Sequence, residues 1–275
     1  DFPLCEDSEG EHSQYRSIGV AGQLIDRIDG AGIVEGVEDL TLFDGRKTQA
    51  VKIRMKGSFS FRGKKPDSFD WKSRMPLEII DMLSKAGVIN TFFVNKPRSL
   101  ASQIKGIGKL SSGIIVVRLF DEDPYRRTDS FVTENLFDKI RQGAAILSYA
   151  CQASGIVFAY SKKDGSPEDK EFDQQLFKDI PVKYVPVDCD KYPAGFQRII
   201  AESVRKNSSD EEVFSKINIY DLMTDSVTLV HLYNAVVEQV PVISQYIYVY
   251  GDCLKISGIL RVPLGISLDF IVEEC

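Results

Sequence analysis

Histidine occurs twice and tryptophan once in 275 residues, and the cysteines (Cys5, Cys151, Cys189, Cys253 and Cys275) never fall at C-x-x-C spacing. Neither a zinc ribbon nor an iron–sulfur cassette is therefore encoded in these residues. An odd, scattered set also argues against a disulfide framework and for a reducing compartment, with the thiols read as small buried hydrophobes. No run approaches the roughly 18 apolar residues of a membrane span; the longest candidates are short strands such as Gly113–Val117. The acidic start, Asp1-Phe2-Pro3-Leu4-Cys5-Glu6-Asp7, has no apolar core and does not read as a signal peptide. Without an initiator Met, it reads as the beginning of a piece cut from a longer chain. An excess of positive charge is missing too: 34 Lys+Arg against 40 Asp+Glu give a net charge of −6, which disfavours nucleic acid. What remains is 43% hydrophobic and 27% charged, the composition of an ordinary globular chain. Its length suggests about two domains.

The pattern changes along the chain. Residues 1–70 read as β-rich, because Gly19–Gly30 and Ala50–Met55 alternate apolar and polar residues between Gly and Asp punctuation. Closely spaced glycines there point to tight turns in a small sandwich or barrel. Residues 62–68 read as a linker, with Trp71 beyond it as a packing anchor. Pro76 fits the first position of a helix whose apolar side carries Leu77, Ile80 and Leu83, and Gly87 fits just past its end. A strand at 113–120, a helix near 130–154, a strand at 156–160, a polar helix opened by Pro167 and a strand at 182–187 follow. Nearly all-apolar strands alternating with helices predict a parallel sheet covered on both faces, a Rossmann-like α/β domain over 71–240. Another helix is expected at 224–238. Residues 241–275 read as a hairpin, 246–252 with 258–265, and then a helix capped by Ser267 with Leu268 and Ile271 on its apolar side. The chain stops inside that β/α module, which is expected to be truncated.

Ligands of open parallel sheets sit beyond the carboxyl ends of the strands. The first strand ends in Asp121-Glu122-Asp123-Pro124-Tyr125-Arg126-Arg127, the richest polar cluster of the chain. Its carboxylates could bind ribityl or ribose hydroxyls and its arginines phosphate; the competing reading is a solvated acidic turn. Gly106-Ile107-Gly108-Lys109-Leu110-Ser111 precedes a strand and lacks the third Gly and the Ser or Thr after Lys, so it is only superficially a phosphate loop. Asn207-Ser208-Ser209 is formally a glycosylation sequon. His231 reads as a packed or surface histidine, having no Cys or carboxylate at triad or metal spacing. Spacing alone assigns no general acid, base or nucleophile.

Five segments in fixed order resemble the RnfC family, the peripheral subunit of ion-translocating ferredoxin–NAD oxidoreductases, whose layout recurs in NqrA and in the NADH-binding flavoprotein subunit of complex I. They are Gly22-Gln23-Leu24-Ile25-Asp26-Arg27-Ile28-Asp29-Gly30, the turn Lys85-Ala86-Gly87-Val88, Asp121-Glu122-Asp123-Pro124-Tyr125, Lys191-Tyr192-Pro193-Ala194-Gly195, and the stretch from Gly251-Asp252 through Arg261-Val262-Pro263-Leu264-Gly265 to Leu268. The resemblance implies an N-terminal barrel-sandwich lobe (1–70), a Rossmann-like FMN/NADH-type domain (71–240) and the start of a β-grasp, SLBB-type module (241–275). It implies Asp121, Asp123, Tyr125 and Lys96 as cofactor-binding residues, with FMN and NADH as the family's cofactors. Its 4Fe-4S clusters would lie beyond Cys275, since no such cysteine run falls within this chain. Integral membrane subunits are the implied partners, and the implied location is peripheral, on the cytoplasmic face of the cell membrane. One departure stands out. Flavin-binding members follow the A-G-I-V turn with a glycine-rich loop; here Asn90-Thr91-Phe92-Phe93-Val94-Asn95-Lys96-Pro97-Arg98 follows, and Arg118-Leu119 replaces an Asn-Gly pair. The expectation is an NqrA-like, degenerate flavin site with a scaffolding or electron-relay role. The alternatives are a working FMN-dependent NADH oxidoreductase subunit and a stand-alone small-molecule or partner-binding module.

Overall fold

The run Ile114-Ile115-Val116-Val117-Arg118 forms the innermost feature of the computed structural model, strand β6, every residue of which is buried. The structure describes residues 15–19, 32–41, 47–55, 69–93, 96–123, 125–178, 180–190 and 192–275. These fall into two compact units, residues 65–242 and residues 1–64 with 243–275.

In the larger unit, α1 (Pro76–Lys85) leads to short strands β4 (Ile89–Asn90) and β5 (Arg98–Ser99) and the short helix α2 (Leu100–Lys105). Then come β6 (Ile114–Arg118), α3 (Thr128–Cys151), β7 (Gly155–Ser161), α4 (Lys170–Phe177), β8 (Val182–Val187), α5 (Gln197–Lys206), β9 (Leu222–Asp225) and α6 (Ser226–Val236). The four long strands make a parallel sheet in the order β8-β7-β6-β9. This is the Rossmann-like, mixed α/β arrangement expected, with one strand more. Burial on both faces explains why the strands read as continuous apolar runs. Val116, Val157, Val185 and Met223 enter a core with Ile200, Ala201 and Val204 of α5, whereas Phe158 packs its ring against Phe137 of α3. The edge strand β8 tolerates Pro186 one residue from its end.

Several expectations need correction. Residues 222–225, read in part as the beginning of the helix expected at 224–238, are β9, and α6 starts at Ser226. Leu77 is exposed while Ile79 is buried, so the apolar face of α1 is Ile79, Ile80 and Leu83. Helix α5 was not expected. Trp71 meets Tyr149 edge-to-face at 5.6 Å. Cys275 is buried, but Cys151 and Cys189 are only half-buried and Cys253 is exposed.

In the smaller unit, β1 (Tyr15–Gly19), β2 (Gly32–Thr41) and β3 (Lys47–Met55) form an antiparallel sheet in the order β1-β3-β2. The Gly22–Gly30 motif and the linker at 62–68 lie outside the described residues. Strands β10 (Ser244–Val249) and β11 (Gly258–Pro263) pair as the expected hairpin. Helix α7 (Leu268–Glu274) is capped by Ser267, whose Oγ accepts from Phe270 N at 3.2 Å; Ile271 is buried, but Leu268 is exposed.

Candidate functional site

The chain crosses from β6 outward to β7 and β8, then returns to the other side of β6 as β9. Loops leaving β6 and β9 therefore diverge, and the crevice above their carboxyl ends is where a sheet of this kind offers a ligand site. Arg118 and Asp225 face each other in register at that point.

Side chains of the protein itself occupy the crevice. Arg118 is fully buried. Its Nη1 donates to Gly195 O at 3.1 Å, its Nη2 to Asp129 Oδ2 at 3.4 Å, and Glu122 Oε2 lies 3.7 Å away. The guanidinium sits 4.4 Å from the centre of the Phe92 ring, which is 1% exposed and belongs to the sheet core. A buried cation persists only with such compensation from carboxylates, carbonyls and an aromatic face. Residues 90–92 are pinned from several directions. Asn90 Nδ2 donates to Met223 O at 2.7 Å and its Oδ1 accepts from Phe92 N at 3.1 Å. Thr91 Oγ1 donates to Asp225 Oδ2 at 2.7 Å, while Thr91 N donates to Thr228 Oγ1 at 3.0 Å. Asp225 also caps α6, accepting from Thr228 N at 2.8 Å.

Three carboxylates converge here, Asp121, Asp129 and Asp225. Burial, and next the charge of Asp225, push the Asp129 carboxyl up to about 7 against the pull of Arg118 and Arg126. A methyl group on Gly195 would lie 2.6 Å from the Cα of Glu122. The bare glycine of the Lys-Tyr-Pro-Ala-Gly segment thus lets it reach the acidic loop, and two of the resembling segments meet through this close approach.

Of the four residues singled out from the sequence, Lys96 alone lines the cleft described below. Asp121 caps α3, its carboxylate accepting from Asp129 N at 2.9 Å and Ser130 N at 3.1 Å. Asp123 Oδ1 accepts from Tyr125 N at 2.9 Å in a local turn, and the Tyr125 ring is exposed. Lys96 lines a cleft of about 880 Å³ between residues 93–107 and 219–223, which Glu122 also borders. Sequence reasoning missed Asp129 and Asp225. The Asp225-Ser226-Val227-Thr228 stretch carried a capping signal, but nothing local marks Asp129. His231 is buried on α6, as expected of a packed histidine. Among the described residues, no group of three His, Cys, Asp or Glu side chains is placed to hold a metal ion.

No family model matches the sequence. The RnfC protein of the ion-translocating oxidoreductase complex of Actinobacillus succinogenes is 24% identical over 234 residues, 84% of this chain and 32% of that protein. The chain resembles RnfC. Its counterpart in Yersinia pestis is likewise 24% identical, over 81% of this chain and 35% of its own length. This RnfC-like chain therefore spans about a third of the curated relatives it matches. Two solved structures share the fold. NAD+-reducing [NiFe]-hydrogenase in its air-oxidized state superposes with a TM-score of 0.56 at 13% identity, covering 72% of this chain and 38% of that one. The same enzyme in its H2-reduced state gives a TM-score of 0.52 at 12% identity.

Proposed function

We propose that this chain is a peripheral, RnfC/NqrA-like part of a membrane-associated, ion-translocating electron transport complex, and that its flavin and NADH site is closed, leaving a scaffolding or relay role. The observation that carries this reading is Phe92, 1% exposed beneath the Arg118 guanidinium at the switch point of the sheet. A flavin there would need bare backbone against its ring and phosphate. The space instead holds Phe92, Arg118 and the clamp from Asn90 and Thr91 onto β9. The residues present do not fit FMN. The acidic loop supports the same reading, because Asp121 and Asp123 already accept hydrogen bonds from backbone N–H groups.

Around this core we place a barrel-sandwich lobe over 1–70, the Rossmann-like domain over 71–240 and a β-grasp module beginning at 241. Integral membrane subunits would be its partners on the cytoplasmic face, and any 4Fe-4S clusters would lie beyond Cys275. The test is a titration of the purified chain with FMN and with NADH. Micromolar FMN should keep its fluorescence, and NADH–ferricyanide reduction should stay at background. A yellow protein, quenched FMN or turnover above background would sink the closed-site reading in favour of a working oxidoreductase subunit.

A further inference from the structure

From Met82 to Phe120 the sequence contains no Asp or Glu, yet Lys85, Lys96, Arg98, Lys105, Lys109 and Arg118 fall there, in a chain whose net charge is −6. Two of these cations are neutralised: Lys85 pairs with Asp81 at 2.7 Å, and Arg118 is buried against Asp129. Lys96, Arg98, Lys105 and Lys109 are exposed and make no ion pair among the described residues. Lys96 and Arg98 line the 880 Å³ cleft, and Lys105 and Lys109 flank its Gly106–Ile107 wall.

Among the described residues, neither carboxylate of the cleft forms an ion pair with these four cations. Asp221 is 4% exposed, and its oxygens already accept from Ser111 Oγ, from Ser112 N and Oγ, and from Asn218 N. Glu122 faces Arg118. Exposed apolar side chains, Phe93, Ile107, Ile219 and Tyr220, share the cleft with the cations.

We infer that this cleft is a docking site for an acidic protein partner. The geometry favours a protein over a small anion for a physical reason. Water-exposed Lys and Arg hold an isolated phosphate weakly, because solvent screens each pair. Spread around an apolar centre, the same cations steer and orient a large acidic surface, and the buried aromatic contacts supply the affinity. At the N-terminus of α2, Ser99 Oγ accepts from Ser102 N, so that backbone donor is already engaged. The inference stands whether or not the flavin site is closed.

The experiment measures anisotropy of a fluorescein-labelled peptide alternating Glu with Phe and Ala, added to the full chain at low and at near-physiological salt. One variant combines Lys96→Gln, Arg98→Gln, Lys105→Gln and Lys109→Gln. A control combines Lys162→Gln, Lys178→Gln, Lys206→Gln and Lys255→Gln, four exposed lysines elsewhere. The expected result is salt-dependent binding that weakens about tenfold or more in the cleft variant and is retained in the control. Carbodiimide cross-links, located by mass spectrometry, should fall on Lys96, Lys105 and Lys109. Absence of binding, equal loss in both variants, or cross-links scattered over the surface would overturn the proposal. So would displacement of the peptide by pyrophosphate or by a single-stranded oligonucleotide of equal charge at lower concentration, which would assign the cleft to a small anion or a nucleic acid.

Discussion

Arg118 is the residue on which the crevice turns. It stands at the end of an apolar strand, where an unpaired cation would be prohibitive, and it persists because Asp129, Glu122, Gly195 O and the Phe92 face surround it. Asp129 bears the strain of that arrangement, with its carboxyl held near 7 by burial and by Asp225. In the unfolded chain it titrates near its ordinary value of 3.8. Between those values the folded state keeps a proton that the unfolded state has released, so this group's contribution to stability falls as pH rises through the window and levels off above it. Relative to Asp129→Asn, the wild type should therefore lose about 2–3 kcal/mol between pH 5 and pH 8 in urea-unfolding experiments. A difference that stays constant with pH would contradict the assignment.

At the scale of elements, the two faces of the sheet are held by different devices. On one side α3 and α6 pack so closely that a Cβ on Gly143 would sit 2.5 Å from Leu229 O. Alanine usually strengthens a helix interior by about 1 kcal/mol over glycine. Here Gly143→Ala should instead destabilise by about 1–3 kcal/mol, because a helix backbone cannot yield like a flexible side chain. Gly108→Ala, with nothing within 4 Å, serves as the neutral control, both read as urea midpoints. The parallel strands and α3 were legible in the sequence because burial on both faces leaves continuous apolar runs. Strand β9 was not: Leu222-Met223-Thr224-Asp225 is short, polar at its end, and runs into a helix with no turn residue between. Its pairing with β6 is a long-range contact that local periodicity does not record. The kink in α3 at Leu136, where φ is −133° and ψ 29°, also left no proline or glycine to announce it.

Across the whole molecule, charge is segregated: an acid-free basic stretch lies within an acidic chain, and no helix among the described residues is long and apolar enough to cross a membrane. On the proposed reading, the protein expressed with the membrane subunits of an RnfC-type complex should sediment with membranes and be released by an alkaline carbonate wash. Retention after the wash would argue for direct insertion.

The sequence by itself determined the Rossmann-like class, the β-rich start, the C-terminal hairpin and the resemblance to RnfC, because apolar periodicity and short fixed-order motifs are local records. It also showed that no glycine-rich run follows the Lys85–Val88 turn. Only the tertiary structure decided what that stretch packs against. Phe92, Arg118, Asp129 and Asp225 are distant in sequence, and the return of β9 beside β6 is what brings them together at the switch point. Asp121 and Asp123, read from the sequence as candidate ligand carboxylates, accept from backbone N–H groups, because the loop they belong to folds onto the start of α3.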